Sequence, residues 1–518
     1  MMRTESQQFT LLKQQPLVGF KNKLKKEFAL VEEPPKTIQR IFYDSFDWRV
    51  FESSGILEAE IHGGSTLLSW SQREDGQSLG SIGLNTMPQF VWDFPIGPFR
   101  DRLESILEAR VLLPQITIKS HIHSLKLLNK DKKTVLRLFL EENTLLDPRL
   151  QQEYSLGKCL RMIPVRGYKK PYLQVLSALS NLKKRDQSLF DEALKRLDIH
   201  PKKFSSKLAV SITPDLNAET ATKRVYTDLF RVLKQNETGL REDWDSEFLH
   251  DFRVSIRRIR SGLGQIKKVF PPQPLARFKK DFAWLGQMAN PLRDLDVYLL
   301  NFDGYRARLP EERQKDLAPL YELLRKQKQV EHQKLVKILD SSRYRRLLKD
   351  WEHFLKDKPS QKEPPKNARL PISKIANEHI FQLYQKVLHQ GQAIRSDTPE
   401  EALHDLRKTC KKLRYLMEFF QSLYPKKEIK TLIQILKRLQ ENLGDFHDFY
   451  LQWSSLGQFG TQLSLIDPAS SNTFIAVGML IEDLKNRQNQ ARLAFGSCFK
   501  EFASSEHQKR FKRLFLKQ

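Results

Sequence analysis

Residues 248–270 read FLHDFRVSIRRIRSGLGQIKKVF, and this stretch decides the fold of the C-terminal part of the chain. At 100° per residue, four basic side chains fall on one helix face about 80° wide. They are His250, Arg253, Arg257 and Arg260. Apolar side chains such as Phe252, Ile256 and Ile259 occupy the opposite face. The stretch therefore predicts a helix with an apolar back and a basic front.

The same pattern returns at residues 402–420, which read ALHDLRKTCKKLRYLMEFF, after a shift of 154 residues. The shift also places the LRD of residues 292–294 on the FHD of residues 446–448. A shift that holds without a gap over about 75 residues indicates an internal duplication. Two copies of one helical unit pack most simply around a pseudo-two-fold axis. We therefore expect both basic faces to border one shared space.

The doubled H-D-x-R-x-x-x-[RK]-[RK]-x-R helix resembles the CHAD domain, the conserved histidine α-helical domain. The segments LRDLDVY (residues 292–298) and LGDFHDFY (residues 443–450) are also similar to that family. The resemblance covers about residues 205–515 and implies two helical bundles related by an internal two-fold axis. It also implies binding of inorganic polyphosphate, whereas the spacing by itself indicates only a doubled basic surface.

The predicted polyphosphate site takes basic ligands from both copies. These ligands are His250, Arg253, Arg257, Arg258, Arg260, Lys267, Arg293, His404, Arg407, Lys408, Lys411, Lys412, Arg414 and His447. Cations one helical turn apart are spaced by about 5 Å, which approximates the charge repeat of the polymer. Arginine forks bind oxyanions with two hydrogen bonds, and lysine adds point charge. We predict no catalytic residue, no metal and no cofactor.

The motif histidines admit other interpretations. A metal site at His250 or His404 is disfavoured because arginine and lysine residues lie close to each histidine in the sequence and would repel a cation. A phosphoryl-carrier role is disfavoured because the chain has no GxxxxGK[ST] loop. Two interpretations stay open: the histidine has a structural role at the start of the helix, or it is a ligand of the anion. Bound anions should favour the charged form of the imidazole.

The net charge of +26 is unevenly spread. Residues 1–200 carry a net charge of +6, and the remaining 318 residues carry +20. Such a field indicates that the protein binds a polyanion: polyphosphate, nucleic acid or an anionic membrane face. The alternative is that the charge only keeps the protein in solution. The basic helix faces contain few aromatic residues, Tyr415 being the exception. Proteins that bind single-stranded nucleic acid usually stack bases on aromatic rings, so nucleic acid is the second choice of partner.

The N-terminal part has the texture of an antiparallel β-protein. Short β-branched or aromatic runs occupy residues 38–43, 55–61, 65–70, 116–122 and 135–141. Helical patterns occupy residues 99–111 and 172–197. The segment YDSFDWRV at residues 43–50 resembles a turn of CYTH domains, the triphosphate tunnel metalloenzymes. That resemblance implies an antiparallel β-barrel whose active members hydrolyse triphosphates with a divalent metal.

The chain departs from the CYTH pattern at the positions that bind metal and phosphate in that family. The best match to the metal-binding E-x-E-x-K strand is KLKKEF at residues 23–28, with lysines where both carboxylates belong. Glu58 and Glu60 stand where the family has two phosphate-binding arginines. We therefore predict a degenerate, non-catalytic scaffold. The alternatives are an active metal-dependent inorganic triphosphatase and a nucleic-acid-associated basic protein.

The predicted fold class is α+β. A CYTH-like, β-barrel-like domain with inserted and trailing helices is expected at residues 1–200. An all-α CHAD domain of two pseudo-two-fold-related bundles is expected at residues 205–518, with repeats at about 218–356 and 372–515. The sequence has no apolar run long enough for a membrane span and no secretory signal. We expect a cytoplasmic protein without a membrane span, and an association with polyphosphate granules.

Overall fold

The computed structural model describes residues 7–11, 16–148, 150–185, 187–201, 208, 210–357, 364–395, 397–466 and 471–516. The chain divides into two compact units, residues 1–204 and 205–518. The first unit is built on an antiparallel sheet, and the second is helical. This architecture confirms the predicted α+β class.

Within its described residues, the N-terminal unit contains ten strands in one antiparallel sheet. They are β1 Gln7–Leu11, β2 Leu30–Glu32, β3 Lys36–Asp44, β4 Gly55–His62, β5 Ser65–Gln72, β6 Ser78–Leu84, β7 Leu113–Leu128, β8 Thr134–Asp147, β9 Gln152–Pro164 and β10 Lys183–Lys184. The strand order is β10-β1-β9-β8-β7-β3-β4-β5-β6, and β2 pairs with β7. Among the described residues, the hydrogen-bonded path therefore ends at β10 and β6.

Five α-helices accompany this sheet in the part of the unit that the structure describes. They are α1 Leu17–Glu27, α2 Arg49–Glu52, α3 Pro98–Leu107, α4 Lys169–Ala178 and α5 Leu189–Arg196. Alternating residues of β8, such as Leu136, Leu138 and Leu140, are fully buried and pack with Tyr172 and Val175 of α4. The strand period of two places these leucines on one face, which is why the sheet can carry a helix there.

Three expectations for the N-terminal unit need correction. Residues 23–28 lie on and just after α1, so their alignment with the first strand of the CYTH pattern is wrong. The first described strand is β1, whose sequence QQFTL contains no carboxylate. The helix predicted at 99–111 ends at Leu107, where Glu108 takes a positive φ of 52°. The helical pattern at 172–197 is interrupted, because β10 lies between α4 and α5.

The C-terminal unit consists of twelve α-helices within its described residues. They are α6 Ala218–Arg241, α7 Ser246–Gln265, α8 Pro272–Met288, α9 Asn290–Leu300, α10 Phe302–Arg306, α11 Ala318–Leu339, α12 Ser342–Lys356, α13 Ile372–Gln392, α14 Glu400–Phe419, α15 Lys426–Ile466, α16 Ser471–Phe502 and α17 Ser505–Leu516. Over the described part of the chain, no helix combines the length and apolarity that crossing a bilayer requires.

The duplication is visible in the helix boundaries. The shift of 154 residues carries the first residue of α6 onto that of α13, and both ends of α7 onto those of α14. It also carries the start of α8 onto the start of α15. The long α15 continues where α8 and α9 are separate helices. The first copy has Pro291 near this break, whereas the second has Asp445, which leaves the helical hydrogen bond in place.

Candidate functional site: a basic cluster shared by the two copies

The motif helices α7 and α14 are fixed by their apolar backs. Phe252, Ile256 and Ile259 of α7 are at most 1% exposed, and Leu406 and Leu413 of α14 are fully buried. Asp245 caps the start of α7 by accepting hydrogen bonds from two backbone N–H groups of its first turn. Because the apolar side is buried, each helix must present its basic side outwards, as the sequence pattern predicts.

The two motif helices are joined by a single carboxylate. Arg258 Nη2 of the first copy donates to Glu418 Oε2 of the second copy at 2.8 Å. Arg414 Nε lies 3.5 Å from the other carboxylate oxygen of the same residue. Both guanidinium groups also lie over the Tyr415 ring, 6.0 Å and 5.6 Å from its centroid. Glu418 thus binds one arginine from each copy and orients both.

Cations from the two copies meet beside this junction. Burial lowers the pKa of Lys411 to about 7, and the neighbouring Arg407 and Arg257 lower it further, while Asp448 opposes them. The pKa of Arg407 is also lowered, mainly by burial and in part by Arg257. Arg257 belongs to α7, and the other two cations belong to α14. The basic faces of the two copies therefore act on each other electrostatically.

The first copy contributes a second group of cations. Burial lowers the pKa of Arg253 to about 10; Arg257 and Arg293 add to this effect, while Asp294 opposes it. Arg253 Nη1 donates to Asn290 Oδ1. Arg293 Nη1 donates to the carbonyl of Ser246 at 3.2 Å, which holds the guanidinium at the start of α7. We call Arg253, Arg257, Arg293, Arg407 and Lys411 the basic cluster.

The second copy places two imidazole rings beside this cluster. His404 Nδ1 lies 3.2 Å from His447 Nδ1, and the ring centroids are 4.4 Å apart. Burial lowers the pKa of His447 to about 4, with further contributions from Arg407 and His404. Burial also lowers the pKa of His404, followed by Lys408 and Arg407. The two rings border a cavity of about 220 Å³ that Glu400, Glu401, Phe446 and Tyr450 also line.

The remaining predicted ligands lie on the same two helices or at the end of α7. His250 is half-buried. Arg260, Lys267, Lys408 and Lys412 are exposed, and Lys408 Nζ lies 3.1 Å from Asp405 Oδ1. The structure therefore brings five predicted ligands into the basic cluster, pairs two arginines through Glu418, and leaves Arg260 and the three lysines exposed to solvent.

Sequence reasoning missed the acidic partners of the cluster. Arg407 Nη2 donates to Asp448 Oδ1 at 2.9 Å. Asp294, which interacts with Arg253, occupies the equivalent position of the first copy. The signal was present in the repeat, because the shift places LRD on FHD and so aligns the two aspartates. Glu418 carried no such signal, since its counterpart in the first copy is Gly264.

The acidic residues of the N-terminal sheet surround a buried arginine. Arg40 is 4% exposed, and its guanidinium lies 3.5 Å from Glu58 Oε1, 3.7 Å from Glu60 Oε1 and 3.3 Å from Glu141 Oε2. Glu141 also accepts a hydrogen bond from Arg161 Nε at 2.8 Å. The positive charge of Arg40 is thus balanced internally. Within the described residues, no three His, Cys, Asp or Glu side chains form a group that could hold a metal ion.

Comparison with known proteins agrees with this division of the chain. Residues 224–457 match the family model of the CHAD domain. The CHAD domain from the plant Ricinus communis is 23% identical, with a TM-score of 0.47, covering 57% of this chain and 96% of its own. PptA from Streptomyces chartreusis is 15% identical, with a TM-score of 0.43, covering 55% and 100%.

A provisionally named adenylate cyclase from Vibrio parahaemolyticus is 12% identical, with a TM-score of 0.25, covering 37% of this chain and 97% of its own. No curated protein matches the chain. The match at residues 224–457 confirms the predicted CHAD domain in the helical unit.

Replacing Lys411 with methionine should stabilise the protein when no anion is bound. The pKa of about 7 in the folded protein lies below the ordinary lysine value of 10.5, which applies to the unfolded chain. The folded protein therefore loses stability as the pH falls from the higher value to the lower one. Below the folded value the penalty is constant. Lys411→Met should therefore raise the free energy of unfolding by about 1–2 kcal/mol at neutral pH, after allowance for solvent screening.

Urea denaturation at neutral pH and near pH 10 measures this effect. The gain should shrink at the higher pH, because the folded-state lysine is then neutral at little cost. Lys412→Met is the matched control, because Lys412 is the exposed neighbour on the same helix. Equal gains from both substitutions would contradict the assigned repulsion at Lys411.

Proposed function

We propose that the helical unit binds inorganic polyphosphate across the basic cluster, with the N-terminal unit as a non-catalytic scaffold. The observation that carries this proposal is the repulsion between Arg257 of the first copy and Arg407 and Lys411 of the second copy. Like charges held together oppose folding, and Arg407 and Lys411 are half-buried. A bound polyanion would offset that repulsion, which gives the arrangement a purpose that a solubilising surface would lack.

The hydrogen-bonding state of the cluster supports an anionic ligand. Within the described part of the chain, neither Arg257 nor Lys411 forms an ion pair with an acidic side chain. The buried Nε of Arg407 likewise has no hydrogen-bond acceptor among the described residues. Buried donors are normally satisfied, so such a group favours a missing acceptor such as a phosphate oxygen. Arginine is also suited to forked binding of phosphate.

The surroundings of the cluster favour polyphosphate over nucleic acid. Tyr415, the aromatic residue of the second basic face, is 2% exposed. It lies beneath Arg258 and Arg414 and has no free face for stacking on a base. A polymer without bases needs only the positive charge and the spacing that the two motif helices supply.

The scaffold assignment rests on the buried network around Arg40. Glu58, Glu60 and Glu141 balance its charge, so this arginine is engaged without any ligand. A phosphate would have to displace these carboxylates or be repelled by them.

Our proposal places the protein in the cytoplasm, in association with polyphosphate granules.

Competition on the full chain tests the proposed ligand. Long-chain polyphosphate, tRNA and double-stranded DNA should be titrated against one labelled polyphosphate at a fixed salt concentration. Polyphosphate should displace the label at a concentration at least about ten-fold lower per phosphate than either nucleic acid, because its charges match the cluster without base contacts. Stronger competition by tRNA or DNA would favour the nucleic-acid alternative. Metal-dependent phosphate release from triphosphate would favour the triphosphatase alternative.

A further inference from the structure

One of the differences between the two copies replaces a permanent cation with a titratable ring. Arg293 of the first copy corresponds to His447 of the second copy after the shift of 154 residues. Arginine keeps its charge at every pH at which proteins fold, whereas histidine changes charge near neutral pH. The first copy thus holds a permanent cation at a place where the second copy holds a titratable ring.

The geometry of the second copy makes this difference consequential. The Nδ1 atoms of His404 and His447 face each other at 3.2 Å. At that separation one ring can donate a hydrogen bond and the other can accept it, if one Nδ1 carries a proton and the other does not. Two charged rings in the same orientation would set N–H against N–H. One added proton leaves the bond between the Nδ1 atoms in place and turns a ring Nε2 into a donor, which needs another acceptor.

Charged groups of α14 act on this pair directly, and groups of α15 and α7 act on it through Arg407. The helix α14 contributes Arg407, Lys408 and Lys411 together with the carboxylates Glu400, Glu401 and Asp405. The helix α15 contributes Asp448, which is paired with Arg407, and α7 contributes Arg257 through the same cluster. Glu400 accepts a hydrogen bond from Gln488 of α16 at 3.1 Å. Burial lowers the pKa of each ring, and the cations of α14 lower it further, while Asp405 opposes them at His404.

We propose that polyanion binding is coupled to proton uptake by the His404–His447 pair, while the corresponding arginine of the first copy binds independently of pH. This inference rests on the proposed function. Phosphate oxygens at the rim of the cavity would supply the acceptors that the charged rings need. They would also offset the repulsion from Arg407, Lys408 and Lys411, which adds to the effect of burial on the pKa of the rings.

The sign of the pH dependence follows from linkage. A group whose pKa rises on binding takes up a proton in the complex, so affinity increases as the pH falls towards the free-protein pKa. For His447 that lower limit is about 4. Lys411, with a pKa of about 7, is already charged below neutral pH and contributes to the slope only above it. The effect of the histidine pair is therefore measured on the acidic side of neutrality.

The full chain should be titrated with long-chain polyphosphate at constant ionic strength between about pH 5 and about pH 7. Long chains are used because their few terminal phosphates contribute little to the titration. The wild-type affinity should rise about ten-fold for each pH unit over which one proton is taken up. His447→Gln should flatten this slope, and Arg293→His should steepen it. His353→Gln, which changes an exposed ring on α12, should match the wild type.

Calorimetry in two buffers of different ionisation enthalpy counts the protons directly. The wild type should take up about one proton more than His447→Gln at the same acidic pH. Equal slopes and equal proton counts in these two proteins would overturn the inference, even if both bind tightly. Failure of the wild type to bind at any pH would instead overturn the proposed function, and this inference with it. If His447→Gln does not fold, His404→Gln and Arg293→His make the same distinction.

Discussion

Removing two cations from either copy should weaken the binding of long-chain polyphosphate by about ten-fold or more. The substitutions are Arg253→Ala with Arg257→Ala in the first copy, and Arg407→Ala with Lys411→Ala in the second. A hydrogen bond to a charged group contributes about 1.5–3 kcal/mol, and less where solvent screens it. Since Arg257 interacts with both cations of α14, the first pair of substitutions removes charge from the centre of the cluster.

The length of the polymer distinguishes one shared site from two independent sites. A short chain can occupy the surviving copy, whereas a long chain gains from engaging both copies at high effective concentration. The loss should therefore be larger for long chains than for short chains in isothermal titrations of both double variants. Arg345→Ala with Arg346→Ala removes the same charge from exposed positions of α12 and is the matched control. Equal losses at both lengths would argue for two separate patches.

Salt should have the largest effect on binding. A polyanion that loses its condensed counterions on binding gives a logarithmic affinity that falls linearly with the logarithm of the salt concentration. With about six phosphate contacts, raising the salt from about 50 mM to about 200 mM should lower the affinity about a thousand-fold. Fluorescence titration at four or more salt concentrations gives the slope.

The double variants turn this slope into a count of contacts. Each lost phosphate contact should reduce the slope by about 0.7–0.9, so each double variant should flatten it by about 1.5. The α12 control variant should keep the wild-type slope. If the slope stays unchanged in the cluster variants, the counterions are released elsewhere and the basic cluster is not the binding site.

The duplicated helices were predictable because their signal is periodic. The apolar spacing of α7 and α14 defines the buried side of each helix, and the shift of 154 residues aligns both of their ends. The continuity of α15 was harder to predict, since it depends on a single proline that the second copy lacks. For β6 and β9, partial burial with polar and glycine residues weakens the alternation that marks a strand.

The site was predictable in its cations and not in their partners. The basic residues of the motif helices are recognisable in the sequence by their spacing of one helical turn, and five predicted ligands form the basic cluster. Whether a given arginine is engaged depends on residues far away in the chain, as with Arg258 and Glu418. The contact between His404 and His447 likewise joins two helices that the sequence does not bring together. Such pairings are set by packing and require the structure.

The single carboxylate between the motif helices also has a consequence for assembly. Glu418 corresponds to Gly264, so a first copy offers no acid at this position to the arginines of another first copy. Two first copies from separate molecules would bring Arg258 against Arg258 without the neutralising group that the second copy supplies. Such a mismatch is a repulsive element against the wrong partner. The two copies are therefore not interchangeable at this contact: the first copy is matched to a second copy and not to another first copy.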